Sequence, residues 1–354
     1  MQKRKILFFL MSAVGGAERM TITYAKLLNP EEYDIKICLL SIANNKGIEQ
    51  FIPPELKYEY LRFTSFGLNP RIIKEMYNVL RRESPDYVFS SLISINFRLL
   101  LLAPLFRHAK FIIRNNIYLN SSSLAQKILM CLTYPKAMIV IAQTEEMKDE
   151  LIDVLKLDSN KVEVIQNPVD TQTIEVKLKD YRPFMNEAKR NYVAVGRFAP
   201  SKAFDVLVPA FGEVCRHEPE SELYIVGRYD DNDDYFRSVR QNIISLGLED
   251  KVHIVGFTDN PYRYMKNADC FVLSSRNEGL PNVLVEALYL GTPVAACTCI
   301  PVIERIVDDG RTGYLAKTED SMDLAKAMQK ACGLGRIKST YKASSLDEFL
   351  KKLN

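Results

Sequence analysis

The sequence contains little of what most metal and nucleophilic chemistry requires. Histidine occurs only three times, as His108, His217 and His253, and each lies beside a helical or strand pattern where a surface or core role is the default. No Ser-His-Asp arrangement, metal-ligand cluster, Walker loop or Gly-x-Gly-x-x-Gly fingerprint occurs. These absences disfavour histidine-based chemistry, a bound metal and a nicotinamide oxidoreductase.

Disulfide frameworks, membrane spans and a strong net charge are also missing. The seven cysteines form no Cys-x-x-Cys pair, since Cys297 and Cys299 are only two positions apart, so we expect a reducing, cytoplasmic compartment. No apolar run reaches the roughly 18 residues of a membrane span, so the chain is not expected to be integral to a membrane. A net charge of +3 over 354 residues does not indicate nucleic-acid binding.

Two features of the sequence bear on whether the protein contacts a membrane. Lys3-Arg4-Lys5 followed by ILFFLMSAV is typical of a signal peptide or of a first buried strand, and the helical pattern that follows directly favours the strand. Between Arg62 and Arg114 there are nine Lys or Arg against three Asp or Glu. This basic excess indicates either a solvated face or a surface for an anionic membrane or acidic ligand.

Short apolar runs alternate with helical patterns along the chain, which predicts parallel sheets flanked by helices. In the first half the predicted strands are 6–11, 35–40, 87–91, 111–114, 138–142 and 161–166, and the predicted helices 17–28, 70–83, 92–106, 122–134 and 144–155. In the second half the predicted strands are 192–195, 223–226, 252–255, 270–273 and 294–296, and the predicted helices lie near 203–216, near 235–246 and from about 281.

The restart of this alternation predicts two similar α/β domains with a cleft between them. We place the first domain at 1–170, a polar, non-periodic linker at 171–190, the second domain at 191–335 and a short amphipathic tail helix within 336–354.

Unusual residues stand at the strand-to-helix junctions, where open α/β sheets bind ligands. Gly15-Gly16 lets the backbone approach a ligand closely, or it forms an ordinary tight turn. Arg197 directly follows a strand and Lys202 enters the next helix; two cations in one loop favour an anion between them, although a surface loop explains either one singly. The Asp231-Asn232-Asp233 triplet resembles a metal-binding motif, but acidic side chains are also common at a helix N-terminus and we favour that explanation.

The segment RNEGLPNVLVEALYLGTPV places two glutamates in an apolar setting. Pro281 suits the first turn of a helix. An anion would then be bound by the free backbone amides in the segment from Leu280 to Val283, of which Pro281 itself has none. Glu278 would lie in the preceding loop. Glu286 would lie on the second turn of a buried helix, where it binds sugar or ribose hydroxyls, forms an internal ion pair or stands at the helix edge.

Four motifs in order resemble the retaining family-four glycosyltransferases. They are Gly15-Gly16-Ala17-Glu18-Arg19, Asn167-Pro168-Val169-Asp170, Gly196-Arg197 with Lys202, and Glu278-x7-Glu286 within NEGLPNVLVEALYLGTPV. The resemblance runs from about residue 5 to residue 330. It implies the glycosyltransferase-B architecture, two Rossmann-like domains facing across a cleft, with no catalytic metal, the donor bound by the second half and the acceptor by the first.

The resemblance also implies a role for each matching position. Arg197 and Lys202 would hold the donor diphosphate, and Glu278 would contact hydroxyls of the donor sugar. Glu286 would contact the ribose, and Gly256-Phe257-Thr258 would border the base. The amides from Leu280 to Val283 would assist the two cations, and Gly15-Gly16 would close over the diphosphate or the acceptor. The leaving phosphate would itself accept the acceptor's proton, so no protein base is needed.

This sequence departs from the family in three places. Many members have a His after the strand at 111–114, where this chain has Arg114-Asn115-Asn116, so any polar role falls to Arg114 or Asn115. Ala203 replaces the Gly that often follows the lysine. Glu304, before Asp308-Asp309-Gly310, could reach the donor, but its register is open.

The resemblance is to bacterial cell-surface polysaccharide enzymes. It therefore implies transfer of a hexose or N-acetylhexosamine from a nucleotide-diphosphate sugar, UDP favoured over GDP, to a glycan acceptor that we expect to be polyprenyl-diphosphate-linked. The segment RLLLLAPLFRH (98–108) is consistent with contact to the inner face of the cell membrane or with plain burial. A nucleotide-sugar epimerase and a non-catalytic nucleotide-sugar-binding module are the alternatives.

Overall fold

The computed structural model describes residues 3–13, 15–42, 47–63, 69–178, 188–338 and Leu350. The chain divides into two compact units. The first comprises Met1–Pro168 and takes in the C-terminal stretch Ala343–Asn354, of which Leu350 is the described residue; the second comprises Val169–Lys342. Among the described residues no helix is both long and apolar enough to cross a bilayer.

A seven-stranded, fully parallel sheet forms the centre of the first unit. Its strands are β1 (Arg4–Met11), β2 (Tyr33–Ile42), β3 (Lys57–Phe63), β4 (Tyr87–Ser90), β5 (Lys110–Arg114), β6 (Ile139–Ala142) and β7 (Val162–Val164), in the order β3-β2-β1-β4-β5-β6-β7. The order reverses between β1 and β4, which is the switch point of a doubly wound sheet. β1 is the predicted N-terminal strand, and its residues Ile6 to Leu10 are at most 1% exposed.

Helices cover both faces of this sheet. They are α1 (Gly16–Leu27), α2 (Pro70–Glu83), α3 (Ile93–Leu102), α4 (Leu124–Thr133) and α5 (Glu145–Leu155). Successive β1 side chains point to opposite faces. Ile6, Phe8 and Leu10 therefore pack with α1, whereas Leu7 and Phe9 belong to the core that lies under α2 to α5. Leu350 is fully buried in the core on the α1 side.

The second unit repeats the plan with six parallel strands. They are β8 (Arg190–Val195), β9 (Ser221–Val226), β10 (Val252–Gly256), β11 (Cys270–Leu273), β12 (Val294–Cys297) and β13 (Gly313–Ala316), in the order β10-β9-β8-β11-β12-β13. The helices are α6 (Thr171–Lys177), α7 (Phe204–His217), α8 (Asp234–Ser245), α9 (Tyr262–Asn267), α10 (Asn282–Tyr289), α11 (Val302–Ile306) and α12 (Ser321–Cys332). The switch point lies between β8 and β11.

Both sheets have an edge strand that the apolar pattern did not predict. β3 alternates polar and apolar residues (KYEYLRF), and β13 is a four-residue GYLA segment, because an edge strand is not buried like a central one. The short helices α9 and α11 and the helix α12 were also not predicted.

The predicted linker at 171–190 contains helix α6. The Asp170 carboxylate caps it by accepting from the Thr173 amide at 3.0 Å, and Lys177 pairs with Asp259 at 3.2 Å. α6 is therefore attached to the second unit by specific contacts. Residues 179–187 of the linker, and most of the predicted tail helix (339–349 and 351–354), lie outside the described residues.

Candidate functional site

Three glycines stand in register at the carboxyl ends of β8, β9 and β10. The Gly196 amide donates to the Val226 carbonyl at 2.9 Å, and the Gly227 amide donates to the Gly256 carbonyl at 2.9 Å. A Cβ on Gly227 would lie 1.8 Å from the Gly196 carbonyl oxygen, and Gly256 has a left-handed φ of 80°. This edge of the sheet is therefore bare backbone that a ligand can approach. Sequence inspection singled out Gly256 but missed Gly227.

Lys202 and Glu278, 76 residues apart in sequence, meet at the switch point. Lys202 ends a short 3₁₀ turn, Pro200–Lys202, and its aliphatic stem crosses Gly196, where an added Cβ would lie 3.2 Å from Lys202 Cδ. Its Nζ donates to Glu278 Oε1 at 2.6 Å, and the two side chains are 24% and 11% exposed. The structure thus joins two residues that sequence analysis assigned to the diphosphate and the donor sugar.

Two serines support this pair. Ser275 Oγ donates to the same Glu278 oxygen at 2.7 Å, and Ser274 Oγ donates to the Lys202 carbonyl at 2.8 Å. The described contacts of the Glu278 carboxylate thus involve Oε1 and leave Oε2 available to a hydroxyl donor. An ammonium has three N–H groups, so Lys202 can bind phosphate oxygens while it remains paired. Neither serine was predicted from the sequence.

Arg276 holds the two loops of this site together. Its guanidinium binds both Asp205 oxygens at 2.8 and 2.6 Å, donates to the Pro200 carbonyl at 2.7 Å and also pairs with Glu319. Burial opposes ionisation of Asp205, but the hydrogen bonds from Arg276 and Tyr235 together hold the pKa of its carboxyl below the ordinary value. Because the clamp spans the loops that carry Lys202 and Glu278, it fixes their spacing. Sequence analysis assigned no role to Arg276.

Arg197 offers a second cation with different surroundings. It follows Gly196 directly and is exposed, and no hydrogen bond or ion pair of its side chain is recorded among the described residues. A guanidinium at the end of a central strand can bind an anion without first breaking an internal ion pair.

A thiol that sequence analysis did not place in the site lies next to the ion pair. Cys299 follows β12, and burial together with the nearby Glu278 carboxylate raises its pKa to about 12, against a smaller opposing effect of Lys202. Cys299 is therefore a neutral neighbour of the site at physiological pH, without nucleophilic thiolate character.

Helix α10 begins one residue later than predicted. Pro281 has non-helical backbone angles and serves as the N-cap residue, and its carbonyl accepts from the Leu284 amide at 3.0 Å. Leu280 and Pro281 are buried, whereas Asn282 and Val283 are half-buried in the first turn. A first turn leaves amides without intrahelical partners, which is the basis of the predicted anion seat.

The apolar pattern predicts that Glu286 is buried, but the structure shows it only half-buried. The buried residues of α10 are Leu284, Val285, Ala287 and Leu288, and Glu286 is half-buried, one turn after Asn282 and Val283. An eight-residue helix buries only its packed side, which accounts for the partial exposure of Glu286. Its predicted contact with the ribose remains a prediction.

Exposed aromatic side chains surround Gly256. Phe257 is 47% exposed with the Arg228 guanidinium 5.2 Å from its ring centre, and Tyr229 is 40% exposed and stacks on Phe236 at 4.4 Å. Flat, partly exposed rings beside bare backbone suit a heterocyclic base. Phe257 was expected to border the base, whereas Arg228 and Tyr229 were not singled out.

The acidic triplet after β9 serves a helix cap. Asp233 accepts from the Phe236 amide at 3.0 Å and so caps α8, and Asp230 accepts from the Asn232 amide at 2.9 Å. This confirms the helix-terminus explanation. Among the described residues no group of three or more His, Cys, Asp or Glu side chains is arranged to hold a metal.

In the first unit, Gly15 is the N-cap residue of α1 at the end of β1. A Cβ at Gly15 would lie 2.3 Å from Glu18 Oε2, whereas one at Gly16 would meet nothing within 4 Å. Glu18 is only 8% exposed, and burial raises the pKa of its carboxyl. The Glu18 side chain thus explains why residue 15 is a glycine. Packing gives no structural reason for a glycine at position 16.

The residues at the position of the missing histidine belong to a buried polar network. Arg114 is 2% exposed, donates to Asn167 Oδ1 and lies over the Tyr24 ring. Asn167 donates to Gln143 Oε1 at 3.1 Å. Asn115 is 1% exposed and its side chain donates to the Ile117 carbonyl at 2.6 Å. These contacts tie together the carboxyl ends of β5, β6 and β7.

Two family models match the two halves of the chain in order. The model described as Glycosyltransferase Family 4 matches residues 14–173, and the model described as Glycosyl transferases group 1 matches residues 180–339. The fold is the glycosyltransferase-B architecture with two Rossmann-like domains. The chain belongs to the group 1 glycosyltransferases.

Curated relatives cover much of the chain at low identity. An uncharacterized glycosyltransferase of Methanocaldococcus jannaschii is 29% identical over 69% of this chain. The match covers 65% of that relative's length. The Campylobacter jejuni N-acetylgalactosamine-N,N'-diacetylbacillosaminyl-diphospho-undecaprenol 4-alpha-N-acetylgalactosaminyltransferase is 25% identical over 97% of this chain and 93% of its own. The Amylovoran biosynthesis glycosyltransferase AmsD of Erwinia amylovora is 27% identical over 88% and 85%.

A solved structure agrees with the fold. The crystal structure of Anabaena Alr3699/HepE in complex with UDP and glucose superposes with a TM-score of 0.78 at 21% identity, covering 94% of this chain and 92% of that one.

Proposed function

We propose that this protein is a retaining glycosyltransferase that moves a hexose or N-acetylhexosamine from a UDP-sugar to a lipid-linked glycan acceptor in cell-surface polysaccharide biosynthesis. The observation that carries the proposal is the Lys202–Glu278 pair beside Arg197 at the β8/β11 switch point. It combines two cations for a diphosphate with a carboxylate for sugar hydroxyls in one site.

The reaction uses these groups in defined roles. The bond between the anomeric carbon and the β-phosphate oxygen breaks, and the acceptor oxygen bonds to the same face of that carbon. The acceptor's proton passes to the leaving phosphate, so no protein base is required. Arg197 and Lys202 stabilise the charge that grows on the diphosphate, with help from the first-turn amides of α10. Two protein cations supply the charge neutralisation that a metal ion would otherwise give.

Other site residues orient the donor. Glu278 binds donor-sugar hydroxyls through Oε2, and Glu286 binds the ribose from the edge of α10. Phe257 and Tyr229 border the base next to Gly256, and Gly15-Gly16 contributes to binding of the diphosphate or the acceptor. The complex of the Anabaena protein with UDP supports uridine over guanosine as the base.

The names of two relatives support the acceptor class. The Campylobacter protein is named for a diphospho-undecaprenol substrate and the Erwinia protein for amylovoran biosynthesis. The Campylobacter name fits an acceptor whose glycan is carried on a lipid, which would bring the enzyme to the inner face of the membrane.

A donor panel followed by transfer tests the proposal. UDP-, GDP- and ADP-sugars are compared by thermal shift, and the UDP-sugar that binds is then incubated with membrane lipid extracts. Saturation at 100 times Kd stabilises the protein by about 2.7 kcal/mol, a rise of a few degrees. Arg197→Gln should reduce the shift to about half or less, because a 10- to 100-fold loss of affinity leaves the ligand at only about 1 to 10 times Kd. Arg216→Gln, an equal charge change at the far end of α7, should leave it unchanged.

Each alternative has its own outcome. A product of inverted anomeric configuration refutes retention, and an isomerised donor without acceptor indicates an epimerase. Donor binding without turnover on any extract indicates a binding module. If no nucleotide sugar binds, the donor-site assignment is wrong.

A further inference from the structure

Helix α4 presents apolar side chains to solvent. Leu124, Ile128 and Leu132 are 74%, 53% and 66% exposed, and their spacing of four residues places them on one face. Its buried residues are only Met130 and Thr133. A helix of a globular protein normally shows the opposite arrangement, with its apolar stripe toward the core.

The neighbouring helix extends this surface. α3 packs beside α4, and both return from the carboxyl ends of their strands to the amino edge of the same parallel sheet. Leu101 of α3 is 44% exposed and Leu105, just beyond it, is 67% exposed. We call the set Leu101, Leu105, Leu124, Ile128 and Leu132 the α3–α4 surface. Exposed apolar side chains grouped on neighbouring helices mark interaction sites more often than isolated ones do.

The stretch of chain that contains α3 and α4 carries charge of one sign. From Tyr87 to Thr144 the sequence contains no Asp or Glu and six Lys or Arg. Arg98 and Arg114 are buried, and the remaining four reach solvent: Arg107, Lys110, Lys127 and Lys136. Exposed acids resume only on α5, which borders α4 on its other side, at Glu145, Asp149 and Asp153. The stretch of chain that carries the apolar face is thus basic, whereas the exposed face of the adjoining helix α5 carries acids.

We propose that the α3–α4 surface docks the protein on an anionic phospholipid bilayer. The leucines and isoleucine insert at the level of the headgroups while the surrounding lysines and arginine pair with lipid phosphates. The acids of α5 set the limit of the contact, because an anionic surface repels them. A second copy of the chain would bring the same cations together, which disfavours it as the occupant.

The role of the docking surface rests on the proposed function, because docking serves to bring the enzyme to a lipid-linked acceptor. A lipid-linked acceptor keeps its reactive end at the bilayer, so an enzyme held there by its acceptor-binding unit meets it without leaving the surface. The docking surface belongs to the first unit and the donor-site residues belong to the second, and lipid binding can be measured without any nucleotide sugar.

Vesicle co-sedimentation tests the docking surface. The full chain is mixed with vesicles of phosphatidylcholine alone or with added phosphatidylglycerol. We expect binding to the anionic vesicles that weakens as salt rises. Ile128→Asp with Leu132→Asp should lower the partition coefficient at least about tenfold, because each change removes buried apolar area and adds a repelled charge. Val154→Asp on α5, whose side chain is 50% exposed, is the matched control and should stay within about twofold of wild type.

Folding and the donor site are followed in parallel. All variants should keep the wild-type melting temperature, since the replaced side chains are exposed, and the same thermal shift with UDP-sugar. Absence of wild-type binding to anionic vesicles, or an equal loss in Val154→Asp, overturns the docking surface. So does a wild-type dimer that the double variant turns into a monomer with unchanged lipid binding. Failure of the donor panel with intact vesicle binding refutes the proposed function and leaves the docking surface standing.

Discussion

Replacement of Lys202 by Met tests the centre of the donor site. The change keeps the aliphatic stem over Gly196 and removes the ammonium that lies 2.6 Å from Glu278. The Glu278 side chain is only 11% exposed and would retain Ser275 as its described donor. Loss of one charged hydrogen bond in this setting should lower the free energy of unfolding by about 1.5–3 kcal/mol. Urea unfolding without ligand measures this.

The same change should weaken the reaction with the donor. If Lys202 also binds the diphosphate, its loss removes a second charge-assisted contact of similar strength, about 1.5–3 kcal/mol. That corresponds to a decrease in kcat/KM of roughly 10- to 100-fold. Glu278→Gln keeps an oxygen for Lys202 and Ser275, so it should cost less stability than Lys202→Met while it still slows transfer.

A second ion pair in the same sheet provides the control. Lys189 and Glu222 are also 2.6 Å apart, with 29% and 11% of their side chains exposed, but they lie at the amino end of β8 and β9. Lys189→Met should also lower stability and leave donor affinity unchanged. The reasoning fails if Lys202→Met binds and turns over the donor like wild type, or if Lys189→Met impairs donor binding equally.

Three further predictions concern the backbone and acid stability. Gly227→Ala should lower the free energy of unfolding in urea by about 3 kcal/mol, because the added Cβ would overlap the Gly196 carbonyl oxygen. Gly16→Ala should keep full stability and lose only activity, since a Cβ there meets nothing within 4 Å. Ala203 has a left-handed φ of 52° and is 1% exposed. Ala203→Gly should therefore change the free energy of unfolding by under about 1 kcal/mol, whereas Ala203→Val should lower it by about 2 kcal/mol. Equal melting temperatures for wild type and both variants would contradict this. A hydrogen bond from Lys36 lowers the pKa of Glu83 to about 2, so Glu83 stabilises the fold above its unfolded pKa of roughly 4.3 and loses that contribution as pH falls toward 2. Glu83→Gln should therefore be about 1 kcal/mol less stable at pH 7, after allowance for solvent screening, and indistinguishable near pH 2.

Periodicity predicted the central strands well because they are buried on both faces. β1 and β11 follow continuous apolar runs, and the structure places both next to a switch point. The edge strands β3 and β13 were missed because burial on fewer sides leaves a weaker apolar pattern. The same cause explains Glu286: its apolar neighbours in sequence suggested full burial, but a two-turn helix packed on one side leaves Glu286 half-buried.

The donor-site residues divide in the same way. Arg197, Lys202, Glu278 and the turn at Gly256 were visible from their position at strand ends and from the family resemblance. Ser274, Gly227 and Arg276 were not, because each matters through a partner distant in sequence. Arg276 carries no local signal that it binds Asp205, 71 residues away.

By itself the sequence determined the fold class, the family and the strand ends from which the site is built, since these depend on local burial patterns and short motifs. Only the tertiary structure decided that Lys202 pairs with Glu278, that Arg276 clamps their loops and that the apolar side of α4 faces solvent. Each of these depends on which strand ends become neighbours in a sheet and which helix faces are left uncovered. Neighbour relations of this kind join residues far apart in the chain, and local composition carries no record of them.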